Sequence, residues 1–207
     1  MDGVLVDGEP LHFAAVNELM AGEGKGITLE QYKPYMGTKA GWTEMIRDFG
    51  LSGTKEFYSP RYNDLIIRQY SENAEPVDGA SCLVLDLGRR RVPVAVASSS
   101  IAPWVEACLA RIGLAGAFNE VVTGSDVREG KPDPEIYLLA AQRLGVDPAA
   151  CLAIEDAPAG IASAKAAGMT CWAVRTEYTA GLDLGSPDRV FDSLYDIPID
   201  EIVQVAA

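Results

Sequence analysis

The sequence predicts an α/β fold: a parallel-sheet core formed by residues 1–9 and 76–207, interrupted by an inserted helical domain at residues 10–75. Three observations carry this. From about residue 76 onward, short and continuously apolar runs alternate with helix-period segments, the pattern of strands buried on both faces and joined by crossover helices. Between residues 10 and 73 only helical periodicity is found. Polar clusters follow the apolar runs one after another, at the carboxyl ends where open sheets of this kind gather ligands.

The chain opens on Met1-Asp2-Gly3-Val4-Leu5-Val6-Asp7-Gly8-Glu9-Pro10, an acidic, glycine-punctuated turn with a short apolar run. His12, Ala15, Val16, Leu19 and Met20 then recur at helical spacing, with Gly22 as a stop. Thr28-Leu29-Glu30-Gln31 fits a capping box, with Thr28 as N-cap and Gln31 reaching back. A third helix is expected over residues 38–49, ended by Gly50, and Tyr58, Tyr62, Leu65, Ile66 and Gln69 mark a fourth. After Glu75-Pro76-Val77-Asp78-Gly79 a helix is expected over residues 80–90. The run Val92-Pro93-Val94-Ala95-Val96-Ala97 reads as a strand and ends in Ser98-Ser99-Ser100. A helix follows with Pro103 at its first position and Val105, Cys108, Leu109 and Ile112 on one face. Residues 120–123 form the next strand. Asp133-Pro134 supplies an N-cap and first position for a helix that Gly145 ends. Residues 151–154 form a strand, 158–167 a helix closed by Gly168, and 170–174 a strand, with Arg189-Val190-Phe191 as a last edge strand.

Composition narrows the function classes. Hydrophobic residues make up 48% and charged residues 23% of the 207, as in ordinary soluble globular chains. Thirty acidic against 17 basic residues give a net charge of −13, which argues against binding a nucleic-acid backbone and leaves a small phosphorylated molecule as a partner only with local positive compensation. The four cysteines, Cys82, Cys108, Cys151 and Cys171, form no Cys-x-x-Cys pair and are expected to be buried, reduced thiols. Neither a signal peptide nor a membrane-spanning run is expected, so the reading is cytoplasmic, without a membrane partner, as a monomer or weak homodimer.

Four motifs stand in order: Asp2-Gly3-Val4-Leu5-Val6-Asp7; Ser98 at a strand end; Gly130-Lys131-Pro132-Asp133-Pro134; and Ile154-Glu155-Asp156-Ala157-Pro158-Ala159-Gly160. Together they closely resemble the haloacid dehalogenase superfamily, in the branch with phosphoglycolate-phosphatase-like and beta-phosphoglucomutase-like enzymes, and the resemblance covers nearly the whole chain. It implies a Rossmann-like core with a helical cap. In the family's Asp-x-Asp-Gly motif the first Asp is a nucleophile that becomes an aspartyl phosphate and the second is the general acid/base. Asp2 matches the second. Alone it reads as a turn aspartate; with the other three motifs it reads as catalytic. Ser98 matches the hydroxyl that holds the transferring phosphoryl group, with Ser99 beside it as a substrate contact, although such a cluster also caps helices. Lys131 matches the lysine that neutralises the phosphoryl oxygens. Asp2, Glu155 and Asp156 match the magnesium-binding carboxylates, with Asp156 the direct ligand and Glu155 behind it or beside it. His12 is a substrate contact or a core and hinge histidine. Lys39 is a candidate substrate contact from the cap.

The second Asp of the motif points to phosphoryl transfer, since true haloacid dehalogenases do not carry it. Mutase-like members tend to carry Lys-Asn after the serine motif, whereas Ile101-Ala102 stands here. The expected activity is therefore Mg²⁺-dependent hydrolysis of a small phosphorylated metabolite, with a sugar-phosphate mutase and a non-catalytic phosphate-binding homologue as alternatives. By the family's pattern the nucleophile Asp and a central apolar strand come before Met1, so the expectation is a chain truncated ahead of both.

Overall fold

The computed structural model describes residues 1–35 and 41–205. The chain divides into two units, Gly8–Ala74 and Met1–Asp7 with Glu75–Ala207.

The first unit is helical. It contains α1 (Glu9–Ala21), α2 (Leu29–Tyr32), α3 (Gly41–Phe49) and α4 (Lys55–Asn73). The capping box before α2 forms as the spacing predicts: the Thr28 hydroxyl accepts from Gln31 N, and the Gln31 side chain accepts from Thr28 N. The part of the third helix expected over residues 38–40 lies outside the described residues. Val16, Met20, Tyr32, Met45 and Tyr58 build the core, with Trp42 stacked on Tyr58 at 5.1 Å between ring centroids. Burial of such side chains, each worth about 1.5–3 kcal/mol, holds these helices together far more than helix propensity does.

The second unit is α/β. In order it holds α5 (Ala80–Arg89), β1 (Ala95–Ala97), α6 (Ala102–Arg111), β2 (Glu120–Val122), α7 (Glu135–Leu144), β3 (Leu152–Glu155), α8 (Pro158–Ala166), β4 (Thr170–Val174), β5 (Arg189–Phe191) and α9 (Ile199–Val205). Every strand pair is parallel, and the strands form two sheets, β1-β2 and β3-β4-β5. Ala95 stands opposite Glu120, and Leu152 opposite Thr170. One apolar cluster gathers Leu83, Leu87, Val96, Val105, Leu109 and Trp172, and another gathers Val122, Ile136, Tyr137, Ile161 and Cys171.

Residues 1–6 do not extend as a strand. They close a tight turn in which Leu5 N donates to Met1 O (2.7 Å) and Gly3 N to Val6 O (2.8 Å). An antiparallel bridge joins Val6 to Pro76, and Val77 N donates to Leu5 O (2.9 Å).

Several boundaries differ from the expectation. β1 starts at Ala95 rather than Val92, because Pro93 has no N–H to give, Val92 N turns back to Leu87 O and Val94 N donates to the Asn119 side chain. α7 starts at Glu135. Pro134 takes the cap position, and Asp133 accepts from Glu135 N at 2.9 Å from one residue further back. The helix α9 has no counterpart among the expected elements. All four cysteines are free; Cys108 and Cys171 are buried, Cys151 is half-buried, and Cys82 is exposed against expectation. Burial pushes the Cys108 and Cys171 thiols up to about 12, which leaves them unreactive near neutral pH. Among the described residues no helix is long and apolar enough to cross a membrane.

Candidate active site

The serine turn after β1 meets the opening turn of the chain. Ser98 is 2% exposed, and its Oγ accepts from Ser100 N at 3.2 Å. Ser100 Oγ in turn donates to Asp2 Oδ2 at 3.2 Å. The loop after β2 closes on the same turn through Gly124, whose N donates to Ser100 O at 2.9 Å. A Cβ at Gly124 would sit 2.3 Å from Ser99 O, so a glycine is required for the two loops to approach this closely. Thr123 and Asp126 brace that loop, with the Thr123 amide and hydroxyl both donating to Asp126 Oδ2.

Lys131 joins this region to the end of β3. Its Nζ donates to Ala97 O (3.0 Å), to Tyr137 Oη (3.4 Å) and to Glu155 Oε1 (2.5 Å). The Tyr137 hydroxyl donates to the same Glu155 oxygen, and its ring centroid lies 4.8 Å from Nζ. Glu155 Oε2 accepts from Asp156 N at 3.2 Å. The Glu155 carboxyl rests against Gly160, where a Cβ would lie 2.2 Å from it. Burial pushes this carboxyl up, but the Lys131 ammonium and the Tyr137 hydroxyl outweigh it and hold Glu155 below the ordinary carboxylate range. At Asp156 burial first, and then the neighbouring Glu155 charge, raise the carboxyl to about 6; the chain's N-terminal ammonium, a backbone hydrogen bond and Lys131 pull the other way but are outweighed. Its carboxylate packs on the backbone of Gly3, at φ +75, where a Cβ would come within 1.9 Å of Oδ2.

Asp2, Ser98, Ser99, Lys131, Glu155 and Asp156 thus share one rim at the carboxyl ends of β1 and β3. Asp2, Glu155 and Asp156 are not gathered into a single metal-binding cluster; among the described residues no group of three or more His, Cys, Asp or Glu could hold an ion. The physical reason lies in Glu155, whose two oxygens are taken by Lys131, Tyr137 and the Asp156 amide. The Asp156 carboxylate, packed on Gly3, and that of Asp2, the residue before it, are oxygen donors of the hard kind that Mg²⁺ accepts, and Mg²⁺ commonly takes only one or two protein carboxylates. The residues present fit that ion in this reduced form.

His12 lies in the helical unit, where Nδ1 is 2.6 Å from Tyr62 Oη and Nε2 is 3.0 Å from Tyr70 Oη. Lys39 lies outside the described residues. Tyr137 is the site residue that sequence reasoning misses. On an apolar helix face a tyrosine reads as core, and nothing in its spacing announces the Lys131–Glu155 pair it serves.

Residues 1–168 match the haloacid dehalogenase-like hydrolase family. A phosphorylated carbohydrates phosphatase of Thermotoga maritima is 34% identical over 173 residues, covering 82% of this chain and 79% of that one. The fructose-1-phosphate phosphatase of Escherichia coli is 33% identical over 178 residues, covering 84% and 93%. Among solved structures, CbbY from Rhodobacter sphaeroides in complex with phosphate superposes with a TM-score of 0.82 at 28% identity, covering 95% of this chain and 92% of that one. Named relatives with phosphatase activity support assignment as a phosphoric monoester hydrolase. With its four motifs on one rim and a match over most of its length, the chain belongs to the haloacid dehalogenase-like hydrolase family.

Proposed function

We propose that this protein hydrolyses a small phosphate monoester, a sugar phosphate being the first class to test. The observation that carries the reading is the single rim on which Asp2 touches the serine turn while Lys131 spans the ends of β1 and β3. Asp2 is placed to give a proton to the leaving oxygen and then to take one from water. The buried Ser98 hydroxyl and the Ser99 amide hold the phosphoryl oxygens. Lys131 sets a fixed positive charge against the negative charge that builds on those oxygens, and Glu155 and Tyr137 keep it there without a search through rotamers. Mg²⁺, held by Asp156 and Asp2 with Glu155 behind them, would supply further neutralisation of the phosphoryl group. Asp2 matches the acid/base aspartate of the family's motif and not its nucleophile, so the residues named here are assigned the acid/base, phosphoryl-holding and charge-neutralising roles. The helical unit is read as the cap, with His12 and Lys39 as its candidate contacts to substrate. Ile101 and Ala102, in place of Lys-Asn, rank phosphate release above a mutase reaction.

Phosphate release from a panel of sugar phosphates and other monoesters, with and without Mg²⁺, tests this on the chain and on the same chain extended upstream in its reading frame. Mg²⁺-dependent release that Asp2→Asn abolishes is the expected result. Binding of the esters with no turnover by either protein would leave a non-catalytic homologue; interconversion of hexose phosphates would make it a mutase.

A further inference from the structure

The end of α5 sets two residues against the chemistry of a helix terminus. Arg91 N donates to Gly88 O (3.0 Å) and Val92 N to Leu87 O (3.1 Å), the pair of bonds of a Schellman turn with Arg91 as its left-handed residue. Arg91 stands at φ +59 and is the only non-glycine at positive φ among the described residues. Glycine takes that conformation without strain, and an L side chain does not. Gly88 lies inside α5, where glycine weakens a helix relative to alanine, and a Cβ added there would meet no atom within 4 Å. A glycine stands where alanine fits and an arginine where glycine fits, so local stability accounts for neither.

What the two residues share is an exposed surface. Cys82, Leu85, Gly88 and Arg89 recur at helical spacing on the outer face of α5, opposite the buried Leu83, Val84 and Leu87. Leu85 is 46% exposed. Of the three consecutive arginines, Arg90 is paired with Asp86 (3.0 Å) and with Asp200. Arg89 and Arg91 are exposed and make no ion pair among the described residues. Two guanidinium groups without a counter-charge thus stand beside an apolar strip in a chain of net charge −13. The helix dipole explains a cation at Arg89, in the last turn, but not a left-handed arginine beyond it.

We propose that the outer face of α5 docks an acidic amphipathic helix of another protein, whose apolar residues pack on Cys82, Leu85 and Gly88 and whose carboxylates pair with Arg89 and Arg91. The occupant follows from charge complementarity. Each guanidinium offers a planar fork that matches a carboxylate bidentately. A long polyanion would also meet the repulsion of the remaining acidic surface and would leave the apolar strip unused, whereas a short acidic helix meets the patch alone. The backbone bonds of α5 are already made, so the face offers side chains only. A helical partner, whose own backbone is satisfied, suits it better than an extended one. Gly88 leaves a flat place for the partner to approach, which a methyl group would fill. From Cys82 to Arg91 the face runs about 14 Å, or about three helical turns. Carboxylates favour a helix N-terminus, so the partner lies antiparallel, with its acidic first turn over the end of α5.

The test follows fluorescence anisotropy of a labelled helical peptide of about four turns added to the full chain. The peptide carries three glutamates in its first turn and leucines at helical spacing after it; a control has glutamine for each glutamate. The natural chain is expected to bind the glutamate peptide at least about tenfold more tightly than the control. Two variants separate docking from folding, because both relieve the local conflict. Arg91→Gly and Gly88→Ala are each expected to raise the urea midpoint and yet to weaken peptide binding, Arg91→Gly by about tenfold. Absence of peptide binding, equal binding of the control, or an affinity that Arg91→Gly leaves unchanged overturns the proposal. So does a fall in the urea midpoint of Arg91→Gly, which makes that arginine a structural residue. Single-stranded DNA or phosphatidylserine vesicles that bind through Arg91 in place of the peptide assign the patch to a polyanion, and a dimer that Arg91→Gly dissociates assigns it to a second copy; either overturns the proposal. None of these readouts uses phosphatase activity, so docking and hydrolysis fail separately.

Discussion

Lys131 is shared between a backbone carbonyl and a buried carboxylate, and the Tyr137 hydroxyl helps to keep that carboxylate charged. Removing the hydroxyl leaves Glu155 Oε1 with one donor in place of two. Tyr137→Phe is expected to lower unfolding stability by about 1.5–3 kcal/mol, the range for losing a hydrogen bond to a charged acceptor, read from urea denaturation. An unchanged urea midpoint would mean that Lys131 alone satisfies Glu155. At the opposite edge of the site, Asp126 is held down to about 2 by its bond to Arg143 first, and then by the Thr123 hydroxyl and amide. A carboxyl whose pKa falls on folding stabilises the fold above its ordinary range, and that contribution disappears as pH drops through the folded value. The gap in urea midpoint between the natural chain and Asp126→Asn is therefore expected to be constant from neutral pH to about pH 4 and to close between there and about pH 2. A gap that persists at pH 2 would assign the effect to packing instead. These residues also show what single side chains disclose beforehand. Asp2, Ser98, Lys131 and Asp156 are legible because each sits in a short motif with a fixed neighbour. Tyr137 and Asp126 are not, since their roles are set by partners that only the fold brings near.

Elements follow local chemistry where local chemistry decides. The capping box at Thr28, the terminus of α7 at Gly145 and the whole of β4 are legible because turn geometry and continuous apolarity act within a few residues. β1 reads too long because an apolar run does not reveal that its first amides bond elsewhere, and α9 escapes notice because its seven residues are too few to establish a helical period. Two glycines separate conformational from steric demands. Gly145 sits at φ +69 as the C-cap of α7, and a methyl group added there would find no atom within 4 Å. Gly145→Ala is therefore expected to cost only the left-handed backbone term, about 1–2 kcal/mol. Gly3 is also left-handed, but there the added carbon would meet the Asp156 carboxylate. Gly3→Ala is expected to destabilise more than Gly145→Ala and to displace Asp156, which equilibrium unfolding of the two variants side by side would show. Equal losses would mean that Asp156 moves aside freely.

The chain is built as one unit inserted into another, and the insertion point is a stable piece of backbone. Val6 and Pro76 form an antiparallel bridge, and Val77 N donates to Leu5 O, so the strands of chain entering and leaving the helical unit are tied together within the α/β unit itself. Bridged residues stand about 4.5–5.5 Å apart at Cα. The sequence makes this division visible near residue 76, where helical periodicity alone gives way to short apolar runs set between helix-period segments, although it does not show that the ends are tied. Packing is divided in the same way: two apolar clusters draw only on residues of the α/β unit, and the third only on residues of the helical unit. A unit with its own core and adjoining ends is the kind that survives removal of an insertion. Replacing residues 8–74 by a linker of about four glycine and serine residues, a span that such ends allow, is expected to leave a folded α/β unit. Circular dichroism would then show helix and strand together with a single cooperative melt, and amide exchange at β3 and β4 would match that of the full chain. If the shortened protein instead exchanges those amides freely, the helical unit is needed for the sheet to form, and the two units fold as one.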